Sequence, residues 1–412
     1  MNAGRTDRKL EAAWLKQGAL PRLLDVLDRD GEEARVVGGA VRNGLLGLDV
    51  SEIDVATTAT PDEVEKRVVA AGFKAVPTGI AHGTITVVIG KHPYEVTTLR
   101  KDVETYGRHA KVEFGRDWAG DAHRRDFTIN AFSVTRDGTV YDYAGGLADL
   151  EARRVRFIGD ARQRIREDYL RILRFFRFHA AYGHDAPDAE GLTACILERE
   201  GLDQLSRERV RMELLKLLVA PRAGATLSAM ADAGLLLRVL GGVPYLAGFE
   251  KMAKAEAALA LAPDATRRLG ALGVMIAEDA ERLWHRLRLS NAEHRRLAAM
   301  AAHWRTFSAA SDERRARVLL YTLKEPAFSD CAMLAWARAD GEGDAASWRA
   351  LATVAQRWQA PVFPIKAADF IARGVAQGPA LGAALRAAED AWIAADFPSD
   401  AASLEAIVKQ SG

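Results

Sequence analysis

Residues 36–58, VVGGAVRNGLLGLDVSEIDVATT, decide how the rest of the chain is read. The stretch opens with Gly38-Gly39 and Arg42, passes through a short amphipathic segment, and ends in two acids spaced i, i+2 among β-branched neighbours. Alternate residues of a strand point to one face, so Glu52 and Asp54 are expected to project together from a strand over Ile53–Thr57. Two carboxylates on one strand suit a hard divalent cation, which keeps several waters and accepts one or two protein carboxylates plus phosphate oxygens. Gly38 and Gly39 permit a positive-φ turn whose N–H groups, with Arg42 one helical turn on, would face a polyphosphate.

Outward from that stretch, short β-branched runs separated by turns continue at 34–37, 75–76, 84–89 and 94–99, a small mixed sheet. Thr60-Pro61-Asp62-Glu63 supplies an N-cap, a proline at the first helical position and a glutamate at N3, which opens a helix to about Ala71. Glu95 would bring a third acid to the site if its strand lies beside the first. Residues 9–29 read as one or two helices interrupted near Gly18 and Pro21. Residues 101–123, charged and glycine-containing, read as a mobile loop. From Asp160 onward the chain is Ala/Leu/Arg-rich with helical periodicity, and Pro361, Pro364, Gly374, Gly378-Pro379 and Pro398 delimit a terminal helical module.

Two further clusters carry charge chemistry. In Arg124-Arg125-Asp126-Phe127-Thr128-Ile129-Asn130-Ala131, a helical reading puts Asp126 and Asn130 on one face, able to bond a ribose hydroxyl, behind arginines that could neutralise a triphosphate. In the segment 164–178, Ile165, Tyr169, Ile172 and Phe176 form an apolar stripe, leaving Asp168 and Arg171 on another face of a single helix. Between Arg153 and Arg177 stand nine arginines and three acids. The whole chain holds 57 Lys+Arg against 56 Asp+Glu, so this is local clustering toward a polyanion and not a basic average.

The chain has 412 residues, 49% of them apolar, enough for two to four structural units. Cys195 and Cys331 are too few and too far apart for a disulfide framework or a zinc knuckle. No apolar leader or charge-free membrane span is evident, and a cytoplasmic location is expected. His184-Asp185 lacks spaced histidine partners, which argues against a metal-dependent phosphohydrolase.

The order and spacing of these clusters resemble the tRNA nucleotidyltransferase and bacterial poly(A) polymerase family, class II of the polymerase-β-like nucleotidyltransferases. The opening stretch is similar to motif A, RRDFTINA to motif B, DYAGGLADL with residues 154–159 to motif C, EDYLRILRFFRF to motif D, and Ser206–Val210 with Glu213 and Lys216 to motif E. The resemblance implies an α+β fold: a nucleotidyltransferase head with a mixed sheet (1–150), then an all-α neck (151–220), body (221–360) and tail (361–412). It implies Mg²⁺ held by Glu52 and Asp54 with Glu95 completing the acidic site, and a triphosphate held by Gly38, Gly39, Arg42 and Arg124 or Arg125. The nucleotide sugar would meet Asp126 and Asn130. Asp168 and Arg171 would read the base, supported by Arg174 and Arg177. The implied activity is CCA addition to tRNA from CTP and ATP. CC addition, A addition, poly(A) synthesis or a catalytically silent RNA-binding role are the alternatives. The chain departs from the family at Asn43 and Glu52, where Asp is usual. The extra methylene of Glu52 can move a ligand by about an ångström, a shift that can cost roughly 10²-fold in rate.

Overall fold

The motif A stretch folds as strand, turn, helix and strand, and the sheet grows from it in both directions. In the computed structural model, which describes residues 4–79, 83–106, 109–339, 341 and 343–412, ten strands are formed. They are β1 (Arg5–Lys9), β2 (Ala34–Val37), β3 (Asp54–Thr57), β4 (Lys74–Gly79), β5 (Thr84–Ile89), β6 (His92–Thr98), β7 (Arg100–Tyr106), β8 (His109–Phe114), β9 (Ser133–Val134) and β10 (Thr139–Tyr141). Eight of them make one mixed sheet in the order β1-β10-β9-β2-β3-β6-β5-β4. Its parallel pair is β3 with β6, and this register sets Asp54 directly beside Glu95.

The sheet is held by β-branched and leucine side chains. Val36, Val55, Val87 and Val96 are buried. The Leu20–Leu27 helix buries Leu20, Leu23, Leu24 and Leu27, and the Pro61–Ala70 helix buries Val64 and Val68. At that second helix Thr60 accepts from the Glu63 N–H at 3.4 Å, the cap read from sequence.

Several local expectations are corrected. Lys9, read as the start of the first helix, instead ends the strand Arg5–Lys9, which pairs with β10. Residues 101–123 are not a loop: β7 and β8 form a two-stranded antiparallel ribbon, apart from residues 107–108, which lie outside those described, and Trp118–His123 is a helix capped by Asp117. Motif D is two helices, Ala161–Glu167 and Leu170–Tyr182, broken at Asp168, which is extended at φ −155 and ψ 106. The Asp168 carboxylate takes the Leu170 N–H at 3.1 Å and Tyr169 packs on Gly201, where a Cβ would lie 1.9 Å from the ring. These contacts stabilise the break more than the intervening residues favour a continuous helix.

The chain divides into two units, Met1–Val239 and Leu240–Gly412. The first runs past residue 220 because the Ala223–Asp232 helix packs on Leu170–Tyr182. The second is helical. Its end has an apolar cluster of its own, in which Ile365, Phe370, Ala388, Trp392, Ile407 and Val408 are buried. Among the described residues, no helix is long and apolar enough to cross a membrane.

Candidate active site

Asp54 is the first residue of β3, and Glu52 lies in the extended chain just before it, not on the strand. Glu95 is exposed on β6, between buried Tyr94 and Val96, so the pleat turns it to the same face as Asp54. Desolvation, and next the charge of Glu95, raise the Asp54 carboxyl above the ordinary aspartate range; Glu52 adds to this and Arg125 opposes it. Carboxylates that hold one another's ionisation back form a site short of positive charge, and oxygen donors of this kind fit a hard cation. Among the described residues, no group of three His, Cys, Asp or Glu side chains is spaced to hold a metal ion. The charge of Glu95 raises the pKa at Asp54, and an ion held there would draw further coordination from water and substrate.

The glycine turn is built for close approach. Gly38 has φ 72 and ψ −127, a conformation open to glycine, and a Cβ on it would stand 3.0 Å from Arg125 Nη1. Its N–H is not free for phosphate, since it donates to the Phe132 carbonyl at 3.0 Å. Arg125 also donates to Asp121 Oδ2 through Nε at 3.3 Å and Nη2 at 3.2 Å, while Arg124 holds Asp121 Oδ1 through Nε at 2.9 Å. Burial would raise the Asp121 pKa, but Arg125 and Arg124 more than offset it and hold the carboxyl below the usual range. Asp121 was missed in the sequence, although its i+3 and i+4 spacing to the two arginines was a usable signal.

Arg42 does not face the opening as a free guanidinium. It is buried, donates to Asn130 Oδ1, to Asn43 Oδ1 at 3.0 Å and to the Tyr182 hydroxyl at 2.7 Å, and lies over the Tyr182 ring. Desolvation lowers its pKa. Asp126 and Asn130 do meet, with Asn130 Nδ2 donating to Asp126 Oδ1 at 3.1 Å, but through a turn and the 3₁₀ segment Thr128–Asn130 rather than an α-helix. Both are buried, and the other oxygen of Asp126 is taken by Arg174, through Nε at 2.7 Å and Nη2 at 2.6 Å.

The motif D side chains each have a carboxylate or guanidinium partner, from the motif itself for Arg171 and from elsewhere in the chain for Asp168, Arg174 and Arg177. Asp168 Oδ2 accepts from Arg209 Nη2 at 2.6 Å. Arg171 Nη1 donates to Glu167 Oε2 and to the Arg164 carbonyl, both at 2.6 Å. Because the helix breaks between them, Asp168 and Arg171 are not one turn apart on a common helix. Arg177 Nε lies 2.6 Å from Glu213 Oε2, a close ion pair without hydrogen-bond alignment, and Arg174 is 3.8 Å from the same carboxylate. The Arg207–Leu218 helix, which carries motif E, therefore braces the arginines of motif D.

A carboxylate pair on adjacent strands, a glycine turn against Arg125 and a guanidinium stripe on the following helices thus stand together in the first unit. Residues 34–156 match the model of the poly(A) polymerase head domain, and residues 192–264 that of the probable RNA and SrmB-binding site of polymerase A. Mitochondrial CCA tRNA nucleotidyltransferase 1 of Mus musculus is 33% identical over 95% of this chain and 90% of its own length; that of Danio rerio is 37% identical over 90% and 85%. Among solved structures, the Bacillus stearothermophilus CCA-adding enzyme in complex with CTP superposes with a TM-score of 0.73 at 28% identity, covering 94% of this chain and 95% of that one. The chain belongs to the tRNA nucleotidyltransferase and poly(A) polymerase family.

Proposed function

We propose that this protein adds CCA to the 3′ ends of tRNA, taking C, C and A in turn from CTP and ATP and releasing pyrophosphate. The observation that carries the reading is the union, within one folded unit, of the Asp54–Glu95 carboxylate pair with the partnered Asp168, Arg171, Arg174 and Arg177 stripe. Relatives spanning nearly the whole chain, named for CCA addition, support it.

The tRNA 3′ oxygen forms a bond to the α-phosphorus of the incoming nucleotide as the bond from that phosphorus to the bridging oxygen breaks and pyrophosphate departs. Mg²⁺ bound at Asp54 and Glu52 would supply charge stabilisation to the phosphoryl oxygens. Arg125, held against Gly38, neutralises the triphosphate, and Arg124 is kept in place by Asp121. Asp168 retains acceptor capacity beyond its bonds to Arg209 and Leu170, since each carboxylate oxygen has two lone pairs, and it takes the exocyclic amine of C or A. Arg171 donates to a ring acceptor, so U and G present the wrong pattern. The basic neck of a near-neutral chain supports a reading in which the tRNA acceptor end lies along residues 153–177. We place the enzyme in the cytoplasm, while noting that its named vertebrate relatives are mitochondrial.

The test uses tRNA transcripts ending before CCA, after C and after CC, with CTP and ATP singly and together, in Mg²⁺ and in EDTA. Addition of C, C and A in turn, abolished by EDTA, is the expected result. Extension of the CC-ended transcript alone would make this an A-adding enzyme, and long A tails a poly(A) polymerase.

A further inference from the structure

The Leu170–Tyr182 helix packs on the head through Phe175 and Phe178, whose rings lie 6.3 and 5.4 Å from that of Phe127, and is tied to it by two polar attachments. Near its middle, Arg174 clamps Asp126. At its C-terminal end, the Tyr182 hydroxyl accepts from Arg42 Nη2 at 2.7 Å and donates to Asn43 Oδ1 at 3.2 Å, and the Arg42 guanidinium lies 3.9 Å from the ring centroid. The two attachments are about 12 Å apart along a helix axis. They converge in the head, because Arg42 Nη1 donates to Asn130 Oδ1 while Asn130 Nδ2 donates to Asp126. The result is a closed ring: Arg174, Asp126, Asn130, Arg42, Tyr182 and back along the helix. Asn43 is drawn in from the side, accepting from Arg42 and Tyr182 and donating through Nδ2 to the Asp49 carbonyl at 3.0 Å.

We propose that Tyr182 is a positioning residue for nucleotide transfer: through Arg42 and Asn43 it fixes the angle between the base-reading helix and the Gly38–Arg42 turn. The proposal rests on the nucleotidyl-transfer reading. Arg174 and the aromatic contacts on Phe127 hold the helix as far as Phe178, and Tyr182 ties its last turn to Arg42 and Asn43. A tilt of about 5° over that 12 Å span displaces side chains by about 1 Å, and misplacement on that scale can cost roughly 10²-fold in rate. Base recognition and triphosphate placement are then set together, so a base that fits poorly also misplaces the α-phosphate. The Asn43 amide fits this bracket, since it offers an acceptor to Arg42 and Tyr182 and a donor to Asp49.

The minimal test is Tyr182→Phe, which keeps the ring against Phe178 and over Arg42 and removes only the hydroxyl. Single-nucleotide incorporation is measured with all four triphosphates, alongside tRNA affinity, thermal midpoint and hydrogen–deuterium exchange of the Gly39–Leu45 amides. We expect kcat for CTP and ATP to fall about tenfold, and preference over UTP and GTP to shrink severalfold. tRNA affinity should stay within twofold, and exchange in Gly39–Leu45 should be about tenfold faster. Asn43→Ala should reproduce the loss, the double variant should be little worse than either single one, and Asn43→Asp should retain most activity. Parent protein that adds no nucleotide would refute the transfer reading, with the exchange measurement still judging the bracket. Unchanged exchange in folded Tyr182→Phe, or a loss shared equally by tRNA binding and all four nucleotides, overturns the proposal.

Discussion

Both units of this chain bury arginine–carboxylate networks, and the two are built to different ends. In the first unit the network runs from buried to open: Asp126 and Glu213 are buried, while the Arg174 side chain is 32% exposed, Asp168 31% and Arg209 21%. In the second unit, Asp330 accepts from Arg267 Nε at 2.9 Å and Arg296 Nε at 2.6 Å, and Glu256 accepts from Arg268 Nε at 2.7 Å and Arg267 Nη1 at 3.3 Å. There Asp330 and Glu256 are 0% and 1% exposed. A closed network braces helices and offers no edge to a ligand. An open one keeps side chains in place while leaving donors and acceptors for a partner, at a cost in stability that packing elsewhere must offset. Charge count alone does not separate the two; exposure of the paired atoms does.

The largest expected effect lies outside both networks. Asp54→Ala should lower kcat by about 10³-fold or more, because the proposed Mg²⁺ would lose its strand carboxylate, with tRNA affinity by filter binding unchanged within twofold. Turnover near that of the parent would remove Asp54 from the chemistry. Next in size, Asp330→Ala removes the fully buried carboxylate that Arg267 and Arg296 share, leaving them only Glu256 and Asp264, and should destabilise the protein by roughly 3 kcal/mol in denaturant unfolding. Nucleotide preference should not change, and a change would dissolve the contrast between the networks. Asp168→Ala should do the reverse. Discrimination of CTP and ATP from UTP and GTP should fall about ten- to hundredfold, at a small cost in stability since Arg209 remains partly solvated.

The smallest effect concerns His179, buried on the neck helix, where burial and then Arg222 lower its pKa to about 4. Its folded value lies below its unfolded value of about 6.5, so the unfolded chain takes the proton first and stability falls as pH drops through 6.5 toward 4. Between pH 6.5 and 5.5 the loss should be about 1 kcal/mol, read as a falling denaturation midpoint. His179→Gln should flatten that slope, and an unaltered slope would exonerate the imidazole.

What could be read from sequence was whatever local pattern dictates. The Gly-Gly turn, the β2, β5 and β6 runs and the Thr60 cap depend on neighbours in the chain, and they fold as read. The mixed sheet followed by helices follows from those runs, while the adjacency of Glu95 to Asp54, conditional on strand order in the sequence, is set by the pairing of β3 with β6. What escaped depends on contacts from afar. Asp168 ends a helix because Tyr169 docks on Gly201 and Arg209 holds its carboxylate, neither of which periodicity records. Arg42 has the sequence context of a phosphate ligand but is stacked on Tyr182, a residue 140 positions away. The β7–β8 ribbon lacks the alternation that marks a half-buried strand, because its charged residues are interspersed irregularly.

The strand order of the head has a consequence for how the protein keeps to itself. A sheet that is not closed has two free rims, each able to template another chain. One rim here is β1, whose RTDRK sequence sets arginine, aspartate and lysine along the outside; the other is β4, which carries Lys74 and Pro77. Charge and proline are the devices that discourage further strand addition. The finished head therefore resists growth by edge pairing. During synthesis the protection arrives late, since Lys9 meets Thr139 across 130 positions, and β10 exists only when most of the head has been made. The interval of risk thus falls within folding, before β1 docks, and closes once the native sheet is complete.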